Sequence, residues 1–154
     1  MAKTMALKTR INDDLKAALL GGDRFAAEVL RGIKAAILNG EVAKSKRDEG
    51  LSDEEIEQVL AREVKKRLES AALYEQNNRE DSAETERREA DILRNYLPKQ
   101  LSEAELKTIV DAKVTELGAV DAKMMGQVIG AVKQEVGTAA DGAMVAKLVK
   151  EKLS

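Results

Sequence analysis

The chain has 154 residues, 44% of them hydrophobic and 35% charged, with 26 basic and 28 acidic side chains for a net charge of −2. It contains no Cys and no His, which excludes a disulfide framework, a thiolate nucleophile, a Cys-ligated zinc, and the commonest general base and transition-metal ligand. The near-neutral balance gives no global attraction to nucleic acid, so any such binding must come from a local patch.

The length suits one domain or two small subdomains. Phe25, Tyr74 and Tyr96 are the only aromatic residues, so aliphatic side chains and Met must fill the core. Helical periodicity runs from end to end. Leu7, Ile11, Leu15, Ala18 and Leu19 mark one face of a first helix, which Gly21-Gly22 ends because glycine readily adopts a left-handed cap. Asp23 caps a second helix carrying Phe25, Val29, Ile33, Ala36, Ile37 and Gly40 inward and running to about Lys46, with Asn39-Gly40 as a weak point.

Residues 47–50 read as a loop. Ser52-Asp53-Glu54-Glu55 is a capping box, in which the Ser hydroxyl and the Glu carboxylate satisfy each other's backbone N–H groups. The third helix is long, with Ile56, Val59, Leu60, Val64, Leu68, Ala71 and Tyr74 as its stripe. Asn77-Asn78 breaks it, and Asp81 or Ser82 caps a fourth helix that ends at Leu93, Tyr96 and Leu97.

Pro98, the only proline, lacks an N–H and pushes Leu97 out of the helical region, which places a subdomain boundary there: residues 1–97 and 98–154. A second capping box follows in Ser102-Glu103-Ala104-Glu105, then a fifth helix through Leu106, Ile109, Val110, Val114 and Leu117, closed by Gly118. A sixth helix is expected from about Lys123 to Val136, and a seventh, capped by Asp141, through Met144, Val145, Leu148, Val149 and Leu153. No strand pattern appears. The expected fold is all-α, about seven helices in two helical subdomains.

No P-loop and no Gly-x-Ser-x-Gly elbow is present, and no constellation for independent catalysis can be assembled. No cofactor or metal site is expected. The acidic runs at Asp53–Glu57 and Glu84–Asp91 read as charges favoured by helix N-termini. The basic clusters Lys44/Lys46/Arg47, Arg62/Lys65/Lys66/Arg67 and Arg87/Arg88 are interleaved with acids and read as solvent faces. Beyond Leu97 eight Lys meet eight acids, with no Arg. Met124, Met125 and Met144 read as core filler. Gly126 and Gly130 inside the sixth helix each cost up to about 1 kcal/mol relative to Ala; close helix–helix packing is the favoured reason, close approach of a ligand the other. Lys3 is followed by only a few apolar residues before Lys8 and Arg10, so no signal peptide and no membrane span is read and a cytoplasmic location is expected.

Particular stretches carry a resemblance. Tyr96-Leu97-Pro98-Lys99-Gln100-Leu101-Ser102-Glu103 resembles the interdomain signature of the GatB/YqeY family, and Leu30 to Asn39 resembles its second helix. Asn78-Arg79-Glu80-Asp81, Met125-Gly126-Gln127-Val128-x-Gly130 and Ala140-Asp141-Gly142 match it as well. The likeness runs from Met5 to Ser154, with Met1 to Thr4 as an extension.

The resemblance implies a helical N-terminal subdomain and a smaller C-terminal one. The latter resembles the tail of the GatB component of the glutamine-dependent amidotransferase that corrects misacylated glutamyl- and aspartyl-tRNA, where the tail helps hold tRNA and does not carry the carbon–nitrogen ligase chemistry. It thus implies weak tRNA binding, with candidate contacts at Lys99, Lys123, Gln127, Lys133 and Gly142, and Leu97, Pro98, Gly126, Gly130 and Asp141 as structural motif residues. The chain departs from the pattern: Gly126-Gln127-Val128-Ile129-Gly130 stands where the family often has Gly-Lys-Val-Met-Gly. Gly137-Thr138-Ala139-Ala140-Asp141 stands for Lys-Gly-Arg-Ala-Asp. Gln127, Gly137 and Ala139 therefore lack a cation. The alternative reading is a helical adaptor that docks on a larger enzyme.

Overall fold

In the computed structural model the described residues are 6–154; the reading of Met1 to Thr4 as an extension lies outside them. Seven α-helices follow one another: α1 Ala6–Leu20, α2 Arg24–Ala43, α3 Asp53–Gln76, α4 Glu80–Arg94, α5 Glu103–Leu117, α6 Met125–Val136 and α7 Gly142–Leu153. No strand occurs among the described residues. The chain divides into two compact units, Met1–Leu97 and Pro98–Ser154, each with its own apolar core.

In the first unit α3 and α4 pair along their lengths, with α1 and α2 packed on them. Ile11, Ile33, Ile56, Leu60 and Leu93 fill the centre and are 1% exposed or less. Leu7 and Leu15 of the first helix are buried as its periodicity requires, but Leu19 is half exposed: the helix is closing toward Gly22, whose φ of +74° turns the chain away. Asp23 caps α2, its carboxylate accepting from the Ala26 N–H at 3.1 Å.

The second helix stops at Ala43, short of Lys46, because Ser45 turns into the left-handed region (φ +56°). Asn39-Gly40 does not break it. Gly40 instead makes room for the returning loop: a Cβ there would lie 3.1 Å from Leu51 Cδ1, and Leu51 is 1% exposed. The fourth helix begins at Glu80, one residue before the expected caps, after Asn78 at φ +59° and with no side-chain cap from Arg79.

The acidic residues in the first turn of α3 work as caps. Asp53 Oδ1 accepts from the Leu7 N–H at 3.1 Å, pinning the start of α1, and Glu55 completes the predicted capping box with Ser52. The basic clusters of this unit are largely neutralised. Lys44 and Lys46 both reach Glu55 at 3.0 Å. Arg67 bridges Glu63 and Glu89 between α3 and α4, and Arg87 meets Glu75, Glu80 and Glu84.

The Ser52 backbone N–H, then Lys46 and Lys44, hold Glu55 down at about 2 against an ordinary 4.5. A carboxylate lowered in the folded state contributes stability above its unfolded value and loses that contribution as pH falls toward the folded one. We therefore expect stability to decline between about pH 4.5 and 2. In Ser52→Ala the Glu55 carbon resonance should titrate at higher pH, with the cap itself costing about 1 kcal/mol. NMR titration of wild type and variant checks both.

In the second unit α5, α6 and α7 close a three-helix core. Val128, Val132 and Val136 form the inner stripe of α6, facing Leu106 and Val110 of α5 and Val145 and Val149 of α7. Ser102 and Glu105 make the second capping box, and Gly118 ends α5 at φ +64°. The sixth α-helix starts at Met125, not Lys123, because Asp121 caps a single 3-10 turn, Ala122–Met124.

Candidate functional site

The buried valines recur every four residues on α6, so its opposite face is fixed toward solvent. That face holds Gly126, Gln127, Gly130, Lys133 and Gln134, all exposed. The expectation that Gly126 and Gly130 mediate tight helix packing is corrected here: a Cβ on either would meet nothing within 4 Å. The reason is register. The valine stripe takes the core contacts and leaves the glycines half a turn away from them.

Two separate segments converge at the C-terminal end of α6. Lys133 reaches over the start of α7, where a Cβ at Gly142 would lie 3.2 Å from its Cε and 3.3 Å from its Nζ. Pro98–Leu101 is tied to the turn between α6 and α7: the Leu101 N–H donates to Ala139 O at 2.8 Å, and Gln100 Nε2 donates to Thr138 O at 2.9 Å. Lys99 is thereby held beside this corner. Lys123 lies in the 3-10 turn just before α6, ten residues from Lys133, which is roughly 15 Å along the axis at about 1.5 Å per residue. Lys99, Lys123 and Lys133 are exposed and form no ion pair among the described residues. By contrast Lys113 is held by Glu116 and Glu135, which raise its pKa, and Lys152 by Asp111.

Asp141 stands at the N-cap of α7, as expected, but its side chain makes no capping hydrogen bond. Gly137 ends α6 at φ +54°, ψ −129°, a conformation that side-chain-bearing residues rarely adopt. The missing cation at this position thus has a backbone cause. Gln127 and Ala139 carry no such constraint. No group of three or more carboxylates able to hold a metal occurs among the described residues, and none of their helices is long and apolar enough to cross a membrane.

The family model described as "Yqey-like protein" matches residues 8–153. Among curated proteins the chain is 30% identical over 134 residues to "Altered inheritance of mitochondria protein 41, mitochondrial" of Clavispora lusitaniae, covering 85% of this chain and 74% of that one. The protein of the same name from Kluyveromyces lactis is 33% identical over 110 residues, 70% of this chain, and that from Lachancea thermotolerans 30% over 109, again 70%. This chain spans just over half of those two relatives, 56% and 57% of their lengths. The relatives are named as mitochondrial proteins, which overturns the cytoplasmic expectation. An N-terminal reading that excludes only a secretory leader and a membrane span does not determine a compartment. The match over nearly the whole length, on a chain of seven helices with its Gly-x3-Gly face turned outward, places this protein in the YqeY-like family.

Proposed function

We propose that the second unit is a weak tRNA-binding accessory module, working beside tRNA-dependent amidotransferase-type enzymes without itself catalysing the reaction. The observation that carries this function is the outer face of α6. Gly126 and Gly130 lower helix propensity and return no packing, yet they sit between Lys123 and Lys133, where a nucleic-acid backbone can approach closely. Lys133 and the first-turn N–H groups of α7, which the Asp141 side chain does not cap, offer a phosphate both charge and donors. Recognition of this kind reads shape and phosphate, not bases.

The test is titration of labelled tRNA at low and physiological salt. Lys123→Ala and Lys133→Ala should weaken binding about equally for all tRNAs, and each should flatten the log–log salt slope by about one unit. Gln127→Lys with Ala139→Arg should strengthen it, and so should Asp141→Asn, which removes a competing carboxylate. If wild type fails to bind at low salt and the restored variant gains nothing, the RNA reading falls and a protein-docking role replaces it.

A second measurement uses the glycines. Gly126→Ala and Gly130→Ala meet open space, so each should raise stability by about 0.5–1 kcal/mol. The same methyl groups should weaken tRNA binding. A thermal melt and the titration, run together, separate the two effects. Loss of stability in either variant would show that the glycines serve the fold after all.

A further inference from the structure

The outer seam between α1 and α2 of the first unit holds two concavities. One, of about 290 Å³, is lined by residues from 8 to 12 of α1 and from 34 to 41 of α2, with Ala35 and Leu38 at its edge. The other, of about 550 Å³, is lined by residues from 18 to 22 and from 24 to 31, with Ala18 and Leu19 on the α1 side. The two helices run antiparallel, so the concavities follow each other along one groove. From Lys8 to Gly22 that groove is about 20 Å long at about 1.5 Å per residue, nearly four helical turns.

Its accessible lips are apolar. Leu19 is 50% exposed, Leu38 44%, and Val42, one turn beyond Leu38, 55%. Single exposed aliphatic side chains are ordinary. Here, however, four of the six large ones exposed among the described residues lie on α1 and α2, and three of those four border this groove. Leu38 is level with residues 8–12 of α1, so roughly 10–16 Å separate it from Leu19 along the axis.

Charge along the groove is one-sided. Its acids are taken: Glu41 accepts from Lys8 Nζ at 2.8 Å, Glu28 meets Arg31 at 3.0 Å, and Asp23 caps α2. Arg24 and Lys34 line the concavities. Lys16 shares the rim, four residues after Asn12 and three before Leu19. These three cations are exposed and form no ion pair among the described residues. The whole chain has a net charge of −2, so the excess is local. Rim charges attract a partner through solvent and need no burial to do so. A second copy of the chain would set these cations against their own kind. A nucleic-acid backbone brings anions but nothing for the aliphatic lips. An amphipathic helix with acidic flanks brings both.

We propose that the α1–α2 groove docks an acidic amphipathic helix of a partner protein. Aliphatic anchors at i and i+7 of that helix pack against Leu38 and Leu19, and its carboxylates lie along Lys16, Arg24 and Lys34. All of these residues belong to the first unit, so docking does not depend on RNA binding by the second.

The experiment titrates an acetylated peptide of about 15 residues, with Leu at i, i+4, i+7 and i+11 and Glu and Ala elsewhere, into the ¹⁵N-labelled full-length protein at low salt. The expected result is saturable shifts confined to α1 and α2. The same peptide with Lys for every Glu should bind at least about tenfold more weakly. Lys16→Glu with Lys34→Glu should weaken the acidic peptide by about tenfold. Leu19→Ser and Leu38→Ser should each weaken it about fivefold or more. All four positions are exposed, so the variants should keep the wild-type thermal midpoint, which a melt checks. The proposal is overturned if the acidic peptide gives no saturable shift, if the lysine peptide binds as well, or if either set of variants binds like wild type. It is equally overturned if the α1 and α2 amides shift on dilution of the protein alone, which makes the groove an interface between copies. Shifts there with tRNA and none with the peptide overturn it too, and make the groove a nucleic-acid surface.

Discussion

Leu60→Ala should destabilise the first unit by about 2–5 kcal/mol, the range for large-to-small changes at rigid core positions. Leu60 is fully buried on the helix that contacts α1, α2 and α4. Its neighbours Ile33, Ile56 and Leu93 are equally buried, and helices held from several sides cannot collapse into the space left behind. The lost transfer energy and the residual cavity therefore add. Urea unfolding followed by circular dichroism should show a lower midpoint with little change in slope for this transition. Amide-exchange protection should fall in residues 6–97, because Leu60 belongs to the core of that unit and not to the other. A shift below about 1 kcal/mol would mean that the site relaxes and that the four helices are less rigidly packed than their burial implies.

The second large effect is expected at Val132. It is fully buried in the middle of the inner stripe of α6, between Val128 and Val136. Val132→Ala removes about 1.5–3 kcal/mol of burial, less than the Leu60 change in absolute terms but a larger fraction of what is available. The second unit has fewer than 60 residues, no cysteine to cross-link it, and a core built largely from valine; a core of that size leaves little margin. We expect α5–α7 to lose their amide protection while residues 6–97 keep theirs, and the tRNA binding proposed above to be lost with that unit. Residue-resolved hydrogen exchange distinguishes this from global unfolding. Retention of tRNA binding by a variant whose second unit has melted would remove the binding surface from α6.

Local chemistry is legible in the sequence because it acts over three or four residues. Ser52 and Ser102 with their glutamates announce the starts of α3 and α5, and the spacing of Leu7, Ile11 and Leu15 gives the inner face of α1. Gly118 is recognisable as a left-handed cap since few other residues take that conformation. The 3-10 turn before α6 is not legible, although Asp121 is visible: a short side chain that bonds two residues ahead to the Lys123 N–H looks in sequence like any other turn acid.

Long-range placement cannot be read in the same way. A glycine pair in a helix is compatible with packing or with exposure, and only the register of Val128, Val132 and Val136 against two other helices turns Gly126 and Gly130 outward. Glu41 does leave a trace, a charge at a core-facing position four residues after Ile37, but its meaning requires Lys8 from another helix, 33 residues away in sequence. The same holds for Asp53 at the start of α1 and for Leu51 over Gly40. Helix identity and helix ends follow from nearest-neighbour hydrogen bonds and backbone preference, which the sequence alone determines. Which polar groups are buried together, and which glycines face solvent, depends on how whole helices pack, and only the tertiary structure decided that.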